Sequence, residues 1–96
     1  DYMDQEWAYV SAYTYCVNFL AEANNIREDK YNPYYDSVNG NDYEILEEWE
    51  KITRNFVYND LKVSDSEFQA DIQNSYDYSS SSIRENGKKY FARVKQ

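Results

Sequence analysis

The chain has 96 residues, with 18 Asp or Glu against 10 Lys or Arg, and at this length it forms one domain, residues 1–96, whose single core removes roughly 60–65 % of the unfolded surface from water. Residues 1–82 carry 17 acids and five bases and residues 83–96 one acid and five bases, so an acidic body that repels nucleic acid and anionic lipid ends in a basic tail. At 42 % hydrophobic and 19 % aromatic the composition excludes a disordered chain, and no run approaches the roughly 20 apolar residues of a membrane span.

Trp7 to Ala21 is free of formal charge. Tyr9, Tyr13, Cys16, Leu20 and Ala23 fall on one helical stripe flanked by Val10, Val17 and Phe19, which predicts a broadly apolar first helix over about residues 4–27. Asp4 and Glu6 suit its positive end and Arg27 its negative end. The uncharged girth has two readings: a central helix covered on several sides, or a face that receives a partner. From Glu28 to Asp42 the pattern lapses. Asn32-Pro33 and Asn39-Gly40 supply turn chemistry there, predicting a long loop that holds Tyr31, Tyr34 and Tyr35. Asn-Gly also favours a two-residue hairpin, so an α+β alternative pairs Tyr34–Val38 with Asn41–Ile45.

Ile45, Trp49, Ile52 and Phe56 recur at i, i+4, i+7 and i+11 and predict a second helix over 43–61 with that stripe inward. Asn41 with Glu44 resembles a capping box, and Glu47–Lys51 and Glu50–Arg54 read as solvated pairs on the outer face. Ser64 and Glu67 form a further capping box and start a third helix over 65–77, with Phe68, Ile72 and Tyr76 inward. The serines Ser79–Ser82 break the pattern, because their side chains compete for the backbone. A last helix over 82–95 runs through Ile83, Tyr90, Phe91 and Val94. Gly87 argues against its continuity, and a strand at Tyr90–Val94 is the alternative. The expected fold is all-α, a small four-helix bundle with a long Tyr-rich loop between helices 1 and 2.

The absence of histidine removes the commonest general base and metal ligand, so Ser–His and Cys–His triads cannot be built within the chain. Two glycines, Gly40 and Gly87, cannot make a phosphate-binding loop or a dinucleotide fingerprint. The run Asp36–Asp42 superficially resembles a calcium loop. Placing Gly40 at the invariant glycine puts Tyr35 and Leu46 at ligand positions, and neither can ligate. No cofactor or metal is expected, and no catalysis. Cys16 sits on the inward stripe of helix 1 as a small hydrophobe. One cysteine and no Asn-x-Ser/Thr sequon point to a cytoplasmic protein. The chain opens on Asp1, consistent with either a native or a trimmed start.

Carboxylates one helical turn apart lie about 5–6 Å from each other, and duplex DNA carries one charge per roughly 1.7 Å of axis, so a row of them imitates a phosphate row. Glu44, Glu47, Glu48 and Asp60 on helix 2, with Asp65, Asp71 and Asp77 on helix 3, supply such a row. Tyr31, Tyr34, Tyr35 and Tyr58 add rings for stacking on a nucleic-acid site. In size, charge and Tyr and Asn content the chain resembles the small acidic inhibitors encoded by phages and mobile elements, among them anti-CRISPR proteins and uracil-DNA glycosylase inhibitors. The resemblance implies a non-catalytic inhibitor that blocks the basic site of a nucleic-acid-binding enzyme in a host bacterium. The alternative is a helical adaptor or oligomerisation module that uses the uncharged face of helix 1. Neither reading requires direct binding to nucleic acid or membrane, and the second allows a homo-oligomer.

Overall fold

The structure, a computed structural model, describes residues 1–28, 41–76 and 80–96. The fold is all-α: these residues form four α-helices and no strand. They are α1 (Tyr2–Glu28), α2 (Asn41–Asn55), α3 (Asp65–Asn74) and α4 (Ser80–Val94), with a π-helical turn at Phe56–Asp60 continuing α2. Twenty-seven residues at about 1.5 Å rise make α1 roughly 40 Å long. It is therefore the spine of a molecule measuring 48 × 25 × 23 Å. The other helices pack along it, α4 most extensively and α2 least.

The predicted stripe of α1 is the core stripe: Tyr9, Val10, Tyr13, Cys16, Val17, Leu20 and Ala23 are all buried. Phe68 and Ile72 from α3 and Ile83, Tyr90 and Phe91 from α4 close over it, with Val57, Leu61 and Val63 at one end. Tyr13 lies at the centre, its ring edge-on to Tyr90 at 5.3 Å and tilted against Phe68 at 6.1 Å. Such ring pairs add about 0.5–1.5 kcal/mol each beyond the area they bury. The Ser64 capping box forms in both halves, Glu67 N–H donating to Ser64 Oγ (3.2 Å) and Ser64 N–H to Glu67 Oε1 (3.1 Å). Just before it, Lys62 adopts a left-handed φ of 60°. That strain, about 1–2 kcal/mol, is offset by the burial of both neighbours, Leu61 and Val63.

Several expectations need correction. Residues 41–45 belong to α2, so the hairpin's second arm is helical, and its first arm lies outside the described residues, as does the predicted Tyr-rich loop at 29–40. Tyr90–Val94 is helix, and α4 passes through Gly87 without a break. The cause is spatial, because Gly87 is the point where α4 meets Val10 and Tyr13 of α1. Ser80–Ser82 open α4 and do not interrupt a helix. Tyr76 lies beyond the end of α3, half-exposed, with its hydroxyl donating to Ala21 O at 2.9 Å.

The largest correction concerns the rotation of α2. Its inward line is Leu46, Glu50, Thr53 and Val57, while Ile45, Trp49 and Ile52 face solvent at 54 %, 57 % and 66 % exposure. The apolar stripe and the buried stripe are adjacent lines on the same helix, one residue apart. Val57, fully buried, fixes the choice at the C-terminal end, where the π turn adds a residue to the helical ladder. Glu50, read as a solvated residue, is 2 % exposed and accepts from Arg54 Nη2 at 3.2 Å. Lys51 pairs with Glu48 at 3.5 Å and not with Glu47.

Candidate functional site

The face that α2 turns outward is mixed. Ile45, Trp49 and Ile52 make an apolar line at i, i+4 and i+7, with Glu44 and Glu48 exposed along one side of it, while Glu47, also exposed, lies round the far side of the helix near Lys51 and Arg54. Glu44, Ile45, Glu48 and Trp49 border a shallow open depression. The Trp49 ring lies 6.5 Å from Phe19 of α1, and the exposed Tyr15 is one turn before Phe19. The apolar surface of α2 thus continues onto α1, whose outer side also exposes Met3 and Trp7 at 77 % and 67 %. The charge-free stretch of α1 accordingly divides, Tyr13 and Val17 going to the core and Trp7 and Tyr15 to solvent.

The predicted carboxylate row does not form across two helices. Glu44, Glu47 and Glu48 share α2 and are exposed, and Asp60 is exposed at the π turn. Asp65 is exposed but accepts from Tyr58 Oη at 2.5 Å. Asp71 is the clear departure, for it is 1 % exposed and part of the core. Its carboxyl group accepts from the hydroxyls of Tyr13 and Tyr90 (the latter at 3.2 Å) and from Asn86 Nδ2 at 2.6 Å, joining α1, α3 and α4. A signal was present in the sequence, since positions 68, 71 and 72 share one helical face, and Asp71 keeps company there with Phe68 and Ile72. Asp77, Tyr31, Tyr34 and Tyr35 lie outside the described residues.

Tyr58 is half-buried and is not a free ring. It packs edge-on against Phe68 at 5.9 Å, and burial, with the Asp65 carboxyl beside it, pushes its hydroxyl up to about 12. Among the described residues the exposed rings are Tyr2, Trp7, Tyr15, Trp49 and Tyr76. Trp49, expected on the inward stripe of its helix, is exposed, because periodicity does not say which of two neighbouring stripes is inside.

The basic tail folds back on the protein. Arg93 donates Nη1 and Nη2 to the two Glu67 carboxyl oxygens at 2.9 and 3.1 Å, with its guanidinium 4.7 Å from the Tyr90 ring centre. The fork of Arg93, helped by Ser64, holds the Glu67 carboxyl down to about 2. Lys88 pairs with Glu85 at 3.5 Å, and Lys95 lies over the Phe91 ring. The acids of α3 are therefore buried, bonded or matched, so that of the predicted row the open acids are those of α2 and the π turn, while α1 also exposes Asp4 and Glu22.

The described residues hold no group of three or more side chains able to ligate a metal ion. Cys16 is buried, and burial raises its thiol to about 11, where it has little nucleophilic thiolate. No described helix is long and apolar enough to cross a membrane. No protein-family model matches the chain, and comparison with curated proteins and with solved structures finds no match.

Proposed function

We propose that the protein is a non-catalytic binding module that docks a basic partner through the outward face of α2, with Glu44 and Glu48 as electrostatic anchors beside Ile45 and Trp49. The supporting observation is the orientation of α2: it buries Glu50 and leaves Ile45, Trp49 and Ile52 in water. Three large apolar side chains in water, each worth about 1.5–3 kcal/mol on burial, suit a surface that a second molecule covers. The acids beside them favour a positively charged one. In keeping with the resemblance to small acidic inhibitors, the partner is a nucleic-acid-binding enzyme of a bacterial host whose basic site is blocked.

The test is affinity capture from a bacterial lysate at about 50 and about 500 mM salt, which separates screened from unscreened contacts. Expected is a basic nucleic-acid enzyme retained at low salt, displaced by duplex DNA, and lost when Glu44 and Glu48 are both changed to Gln. Retention that ignores salt, DNA and the double change overturns this reading.

A second reading is favoured by the exposure of Met3, Trp7 and Tyr15 on α1: an adaptor or oligomerisation module joined through that helix. It predicts association that survives high salt and is abolished by Trp7→Ser, measured by analytical ultracentrifugation. A monomer at all concentrations, with no salt-insensitive partner, rules it out.

A further inference from the structure

Ile45, Trp49, Ile52 and Phe56 are separated by four, three and four residues, the alternation of a and d positions in a heptad. Three of them are exposed, while Phe56 is half-buried and packs against the protein's own core, so the open seam is Ile45–Trp49–Ile52, roughly 10 Å or two turns of α2. In the same register Glu48 occupies a flanking g position, with Glu44 and Glu47 on the solvent side. We propose that this seam receives an amphipathic helix of a partner protein, of at least about 12 residues, with apolar a and d positions and Lys or Arg beside them. The inference rests on the reading of α2 as a docking surface for a basic partner and names the element that docks.

Charge selects the occupant. A second copy of the chain would bring another Glu48 to the rim of the seam, with Glu44 beyond it. The e and g positions of α2 are Leu46, Glu48, Thr53 and Asn55, none of which is a base that could answer a facing Glu48. Lys51, the nearby base, pairs with Glu48 of its own helix. With eight net negative charges per chain, self-pairing places like charge on like charge, whereas a basic helix places opposite charges at the rim.

The experiment uses the full chain carrying Trp7→Phe, so that Trp49 is its sole tryptophan, and three synthetic probes. These are a Leu/Lys peptide with Leu at a and d, the same peptide with Glu in place of Lys, and a helix-incompetent Gly/Ser/Lys peptide of equal charge. Expected is binding of the Leu/Lys helix alone, with a blue shift of Trp49 emission. Affinity should fall about tenfold or more in Ile45→Ser or Ile52→Ser, and at raised salt. Both positions are exposed, and an unchanged thermal melt confirms that these variants remain folded. Equal binding of the Gly/Ser/Lys peptide, or indifference to both serine variants, overturns the helix-in-seam inference while leaving the basic-partner reading intact. Failure of both basic peptides removes the two together. Binding of the Leu/Glu peptide as tightly as the Leu/Lys peptide, or a dimer that Ile52→Ser dissociates, also overturns it, the latter by assigning the seam to a second copy.

Discussion

Asp71 receives three donors from two other helices in a place where water does not reach, and a buried donor left without an acceptor costs about 1–3 kcal/mol. Asp71→Ala strands the Tyr13 and Tyr90 hydroxyls and the Asn86 amide together. We expect a loss of about 3 kcal/mol or more, a large part of the 5–15 kcal/mol that holds a domain of this size, read as the shift in a urea midpoint. Asp71→Asn keeps one accepting oxygen and should cost less. The same setting governs behaviour in alkali. Burial, with Asp71 adjoining, raises the hydroxyls of Tyr13 and Tyr90, and burial lifts Tyr9 to about 12 from an ordinary 10. A tyrosine that is harder to ionise when folded supports the fold fully below pH 10, and that support is lost as pH rises through the folded value. Stability should therefore decline from about pH 10 upward, with Tyr13 and Tyr90 ionising only as the chain unfolds. Ultraviolet absorbance of tyrosinate, followed beside circular dichroism, checks whether the two transitions coincide.

For the elements, α4 offers the cleanest forecast. A methyl group on Gly87 would sit 3.5 Å from both Val10 γ-carbons and 3.6 Å from a Tyr13 ring carbon, which is ordinary contact. Gly87→Ala should thus gain about 0.5–1 kcal/mol from helix propensity, raising the thermal midpoint, while Gly87→Leu should overpack the α1–α4 seam and lower it. Helix positions were readable in the sequence for local reasons. The Ser64/Glu67 box marks its own helix start, and the α1 stripe is long enough that one face must be inward. Rotation about a helix axis is a tertiary property. In α2 the line Leu46–Glu50–Thr53–Val57 loses to Ile45–Trp49–Ile52–Phe56 on apolarity and wins on geometry, because Val57 and the π turn set the angle. Asp71 was misassigned because a carboxyl group among apolar residues looks like surface until its donors are in view, and two of those, on Tyr13 and Tyr90, are far away in sequence. Both departures move the candidate site to α2 and change its chemistry from a purely ionic row to an apolar line with an acidic border.

Across the whole molecule, charge is sorted by what lies opposite. Arg93 matches Glu67, Asp71 is enclosed, and Asp65 is engaged by Tyr58, leaving Glu44, Glu47, Glu48 and Asp60 as the exposed remainder of the predicted acids. The knot at Asp71 has a kinetic corollary. It ties α1, α3 and α4 into one unit, whereas α2, which packs least on α1, contributes nothing to it. Protection against deuterium should divide accordingly. Amides of α1 near Tyr13, of α3 near Asp71 and of α4 near Tyr90 should exchange only when the entire molecule opens, and those of α2 through a smaller, separate opening. A helix that can loosen without dissolving its neighbours can reseat itself on a guest while the remaining scaffold stays rigid.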